Sequence, residues 1–178
     1  MEIIDTEIEG LKLIKNFFAA DARGSFTKLY NEDAFRDAGL ELDIAEQYYS
    51  VSDKDVIRGM HFQTPPYDHN KLVCVISGSV TDVVVDLRKE SKTYGKAASF
   101  ILKGDEPYSL YIPKGMAHGF RSMEDGTVML YNVTTVYARD CDGGVRWDSI
   151  GYDWQVSDPI MSERDKTFPT LDEFVSPF

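Results

Sequence analysis

From Lys71 to Arg88 the chain reads K-L-V-C-V-I-S-G-S-V-T-D-V-V-V-D-L-R, two β-branched runs around a Ser-Gly pair. That pattern predicts a hairpin. In its second arm Asp82, Val84 and Asp86 fall on one face, and Val83, Val85 and Leu87 on the other. Further strands are predicted over 98–103 (A-S-F-I-L-K), 109–112 (S-L-Y-I) and 127–137 (T-V-M-L-Y-N-V-T-T-V-Y), separated by short turns with Gly, Pro or Asp. Helical periodicity is confined to 32–38 (E-D-A-F-R-D-A) and to a turn opening at Ser162 in S-E-R-D-K-T-F-P, where a proline stops it. Many strands at short spacing with little helix predict an all-β fold. A jelly-roll barrel suits it best, since its interior can hold a ligand.

The chain has 178 residues and no repeat, low-complexity tract or linker, so a single domain over 1–178 is expected. It carries 30 acidic and 19 basic residues, a net charge of −11, with no basic stripe, which argues against binding nucleic acid. A small anionic ligand would need cations gathered locally against that field. No apolar run approaches membrane-spanning length, and the acidic opening M-E-I-I-D-T-E-I-E-G is unlike a signal peptide, so a cytoplasmic location is expected. Cys74 and Cys141 have no CxxC spacing, and Cys74 reads as a small buried hydrophobe.

The candidate chemistry centres on R-G-M-H-F-Q (58–63), where His61 sits among apolar residues. On an uninterrupted strand Gly59, His61 and Gln63 would share a face, with Arg58 three residues before the histidine. The run P-K-G-M-A-H, ending at His118, has the P-x-G-x-x-H form of the second half of a cupin metal motif. The first half needs H-x-H, and residue 63 is Gln. With only His61, His69 and His118 in the chain, no metal is expected, and the turn reads as cupin scaffold. Tyr131 and Tyr137 are six residues apart and would face one side if no bulge intervenes. Each suits packing, or proton donation by a phenol that is protonated at neutral pH. In S-E-R-D-K, Glu163 and Asp165 are equivalent on chemistry alone. No phosphate loop, nucleophile elbow or dinucleotide fingerprint is present.

Taken together, A-R-G-S-F-T-K-L-Y-N (22–31), R-G-M-H-F-Q, the Lys71–Lys89 hairpin, I-P-K-G-M-A-H-G-F, M-L-Y-N-V-T-T-V-Y, G-G-V-R-W-D and S-E-R-D resemble the dTDP-4-dehydrorhamnose 3,5-epimerase family in order and spacing. The resemblance implies a metal-free cupin jelly roll, usually a homodimer, that needs no cofactor. Its substrate would be a nucleoside-diphosphate 4-keto-6-deoxy sugar, whose keto group acidifies the protons at C3 and C5. By resemblance His61 is the base, Asp165 its carboxylate partner, Tyr131 the proton donor and Lys71 the cation at the C4 oxyanion. Arg23 and Arg58 would hold the diphosphate, Gln47 would belong to the nucleotide site, and His118 and Tyr137 would line the pocket. The chain departs from the family at E-Q-Y-Y-S (46–50), where a Q-D-N-H-S-like run is common, at Lys28 for Glu and at Asn132 for Lys. Those positions leave open a CDP- or GDP-linked substrate and inversion at one carbon only. Because fold alone does not fix function, a cupin that binds a sugar nucleotide without turnover is a further alternative, against which the acid and base positions argue.

Overall fold

A computed structural model describes residues 1–178. The chain enters through β1 (Glu2–Asp5) and β2 (Lys12–Lys15), and then projects a hairpin of β3 (Phe17–Asp21) and β4 (Gly24–Lys28). Helix α1 (Glu32–Asp37) follows, started by Asn31, whose side chain accepts from the Ala34 N–H at 3.0 Å. The body of the fold is β5 (Glu46–Ser52), β6 (Ile57–Gln63), β7 (Lys71–Ser77), β8 (Ser79–Asp86), β9 (Ala97–Lys103), β10 (Tyr108–Ile112), β11 (Met116–Ser122) and β12 (Thr127–Val133). The chain closes with β13 (Asp142–Gly144), a 3-10 turn (Trp147–Ser149) and α2 (Glu163–Lys166).

These strands form a six-stranded sheet, β1-β2-β10-β7-β12-β5, and a five-stranded sheet, β13-β6-β11-β8-β9. Every strand pair is antiparallel, and the two sheets enclose an apolar core that includes Val73, Val84, Leu102, Leu110, Phe120 and Met129. This is the expected cupin-type jelly roll, with the 3-10 turn and α2 toward the C-terminus and α1 nearer the N-terminus. The Lys71–Arg88 hairpin forms around Gly78, whose positive φ of 80° suits glycine. Its face assignment also holds: Val84 enters the core between the sheets, while Val83, Val85 and Leu87 pack outward. They are not exposed there, because the C-terminal segment folds back over this face and lays Trp154, Phe174 and Phe178 against them. The five-stranded sheet is therefore covered on both sides. The outer face of the six-stranded sheet is partly covered by α1 and the following loop, through Phe35, Leu40 and Leu42.

One boundary differs from expectation. Strand β12 ends at Val133, not at residue 137. The T-T-V-Y run has strand propensity, but its polar groups turn toward the 64–70 loop. The Thr134 N–H bonds the Asn70 carbonyl at 3.2 Å, and Thr135 Oγ1 donates to the Tyr67 carbonyl at 2.7 Å. None of the helices is long and apolar enough to cross a membrane.

Candidate active site

A cavity of about 870 Å³ is lined by residues of both sheets and of α2. That volume suits a small-molecule site. The five-stranded sheet contributes His61 from β6. Opposite β11, His118 pairs with His61 but Phe120 pairs with Arg58, so β6 carries one extra residue. This bulge changes the side-chain parity, and Arg58 and His61, three apart, both face the cavity along with Gln63.

His61 Nε2 lies 2.8 Å from Asp165 Oδ1, and Asp165 Oδ2 accepts the Gly59 N–H at 3.2 Å. The Asp165 N–H is in turn bonded to Ser162 Oγ at 3.1 Å, the N-cap of α2. Burial works to raise the Asp165 pKa, but hydrogen bonds and the neighbouring His61 hold it below the ordinary carboxylate value. Glu163 points to solvent and pairs with Lys166, so packing separates the two acids that chemistry alone could not. The edge of Phe168 closes on the His61 ring at a centroid distance of 5.8 Å. With Nε2 engaged, Nδ1 is the imidazole nitrogen left for a ligand.

Lys71, at the start of β7, is buried, with Nζ 3.4 Å from the His61 carbonyl. Burial lowers its pKa to about 8, against the pull of Asp142 and Asp82. Tyr131 comes from β12, which with β7 belongs to the six-stranded sheet, opposite the sheet that carries His61. It is buried, its hydroxyl lies 3.3 Å from Ser50 Oγ, and burial raises its pKa above the ordinary phenol value. Next to it, His118 Nε2 bonds Asp82 Oδ2 at 2.8 Å, and the two rings meet edge to face at 6.3 Å. Burial raises the Asp82 pKa, while His118 opposes the shift. Arg58 is fixed at the rim by Ser52 Oγ at 3.0 Å and the Val51 carbonyl at 3.1 Å. Tyr137 lines the mouth from the loop after β12, with its N–H bonded to Glu46 Oε2 at 2.7 Å.

Two expected ligand-binding residues are not brought to the cavity of their own chain. Arg23 sits at the tip of the β3–β4 hairpin, with a side chain 90% exposed and paired to Asp21 at 2.6 Å. Gln47 lies on the opposite face of β5 from the cavity-lining Glu46, Tyr48 and Ser50, and bonds Asn132 Oδ1 at 2.5 Å. Strand alternation sends it outward. Conversely, the cavity holds residues that sequence reasoning missed. Arg164 pairs with Asp142 at 2.7 Å and stacks over Phe168. Tyr48 lies against Tyr131. His69 also lines the wall, but no three His, Cys, Asp or Glu side chains gather as a metal-ligand group. The signal for Arg164 was its place beside Asp165, and for Tyr48 the departure at E-Q-Y-Y-S.

The geometry gathers a carboxylate-backed imidazole, a buried ammonium and a buried phenol around one cavity. The family model for dTDP-4-dehydrorhamnose 3,5-epimerase matches residues 5–173. The enzyme of that name from Methanothermobacter thermautotrophicus is 38% identical over 96% of this chain and 94% of its own length. Its counterpart from Escherichia coli is 37% identical over 98% and 97%. The crystal structure of the Bacillus anthracis enzyme, with TDP and pyrophosphate bound, superposes with a TM-score of 0.92 at 35% identity, covering 95% of this chain and 98% of that one. A match of this extent, in sequence and in fold, places the chain in the dTDP-4-dehydrorhamnose 3,5-epimerase family.

Proposed function

We propose that the protein inverts C3 and C5 of a nucleoside-diphosphate 4-keto-6-deoxyhexose, converting dTDP-4-dehydro-6-deoxy-D-glucose to dTDP-4-dehydro-L-rhamnose. The observation that carries this reading is the placement of base and acid. His61 belongs to the five-stranded sheet and Tyr131 to the six-stranded sheet, and both line one cavity. Inversion needs a proton taken from one face of a carbon and another returned to the opposite face.

His61 Nδ1 takes the proton from a carbon next to the C4 ketone. Asp165 holds the ring and supplies the counter-charge for the imidazolium that forms. The electron pair moves into the C3–C4 or C4–C5 bond and onto the C4 oxygen, giving an enolate. Lys71, held in place by burial, stabilises that oxyanion. Tyr131 then protonates the carbon from the other side. Its phenolate recovers a proton from solvent, and His61 releases one, so the cycle closes without an oxidant or a metal. Arg58 and Arg164 supply local cations for the diphosphate within a chain of net charge −11.

The reading includes a homodimer. The β3–β4 hairpin pairs only with itself and exposes Phe17, Phe18 and Phe26 at 50%, 44% and 57%. An apolar arm of this kind is costly in water and suits a cover by a second copy. In such a dimer Arg23 serves the partner's cavity, which reconciles its expected role with its distance from its own.

The test is proton NMR of dTDP-4-dehydro-6-deoxy-D-glucose with the enzyme in deuterated buffer. Deuterium at both C3 and C5, with the L-configured product, is expected. Label at one carbon would make it a monoepimerase, and label at neither would overturn the reading.

A further inference from the structure

Tyr48 is the aromatic residue in E-Q-Y-Y-S, where the run departs from the family pattern. The pairing of β5 with β12 sets Tyr48 directly opposite Tyr131. Their rings stack, with centroids 4.8 Å apart and planes 17° from parallel. Tyr131 is thus held by three contacts: Tyr48 on one ring face, the edge of His118, and Ser50 at the hydroxyl. Of these, Tyr48 stands between the acid and the outside. Tyr131 is 8% exposed and Tyr48 is 43% exposed, although both line the cavity.

Resting on the epimerase reading above, we propose that Tyr48 is a positioning residue for Tyr131. Its ring, rather than its hydroxyl, fixes the angle from which the phenol meets the enolate and keeps water off that face. Removing the ring frees Tyr131 to rotate into the space left behind. The base side is untouched, because His61, Asp165 and Lys71 make none of these contacts.

The two half-reactions can be read separately. In deuterated buffer, abstraction and return on the His61 face puts deuterium into unreacted substrate without inversion. Delivery by Tyr131 gives inverted product. Tyr48→Ala should lower the inversion rate by roughly 10- to 100-fold, the scale of a misplaced reacting group. Exchange into substrate should persist, so the exchange-to-inversion ratio rises about tenfold or more. Tyr48→Phe, which keeps the ring, should restore the wild-type ratio. Equal losses of exchange and inversion in Tyr48→Ala would reduce the residue to a structural role. A Tyr48→Phe ratio matching that of Tyr48→Ala would assign the effect to the hydroxyl, and an unchanged ratio in both would also overturn the proposal. Wild-type protein that neither exchanges nor inverts would instead sink the epimerase reading itself.

Discussion

Lys71 keeps a charge at a buried position on the cavity wall. Burial lowers its ammonium pKa to about 8. The proposed role needs the charged form, which is present below that value and lost as pH rises through it. The pH profile of kcat/KM should therefore turn down near pH 8 and fall about tenfold per unit above it. Lys71→Met should lower kcat by about 10²- to 10³-fold and remove that alkaline limb. A limb that survives in Lys71→Met belongs to another group. At this scale the sequence was only partly legible. His61, Lys71 and Tyr131 stand out by residue type within apolar strands. The choice of Asp165 over Glu163 needed the resemblance, and its physical reason is the fold: Ser162 starts α2 so that residue 165 turns inward and residue 163 outward.

The bulge in β6 depends on two glycines that let backbones approach. A Cβ on Gly119 would stand 2.7 Å from Met60 Sδ and 2.8 Å from the Arg58 carbonyl. One on Gly59, at φ +147°, would stand 2.5 Å from the Gly119 Cα. The Arg58 carbonyl and the Gly119 Cα are backbone atoms and cannot yield without moving a strand. Gly119→Ala should destabilise the protein by roughly 1–3 kcal/mol, the range for overpacking a tight core. Urea unfolding measures that, and kcat/KM should fall as well, because the same bulge aims Arg58 and His61 into one cavity. A wild-type unfolding midpoint in Gly119→Ala would show that the contact relaxes freely. Most strands could be read from alternation and β-branched runs, because those signals are local. The bulge could not, since it depends on which strand lies alongside. The end of β12 is not local either: the partners of Thr134 and Thr135 lie in the 64–70 loop.

At the scale of the whole molecule, a homodimer in which Arg23 crosses to the partner makes a specific demand. Arg23→Ala and His61→Ala should each impair the enzyme alone. Refolded together, half of the dimers are hybrids with one intact cavity each, so activity should recover to about a quarter of wild type. No recovery on mixing would return Arg23 to its own subunit or remove it from the site. This level was the least legible, because an exposed hairpin reads like any surface strand until its position in the fold is known. The His61–Asp165 bond has a consequence in time as well as in space. It joins residues 104 positions apart, and the last strand of the six-stranded sheet ends at Val133. During synthesis that last strand of the six-stranded sheet precedes the carboxylate by roughly two to six seconds, at about 5–20 residues per second. A nascent chain in that interval has the base without its partner. A protease nick between Gln155 and Ser162 would cut the chain ahead of Asp165 and leave the carboxylate held to the sheets by the packing of Phe174 and Phe178.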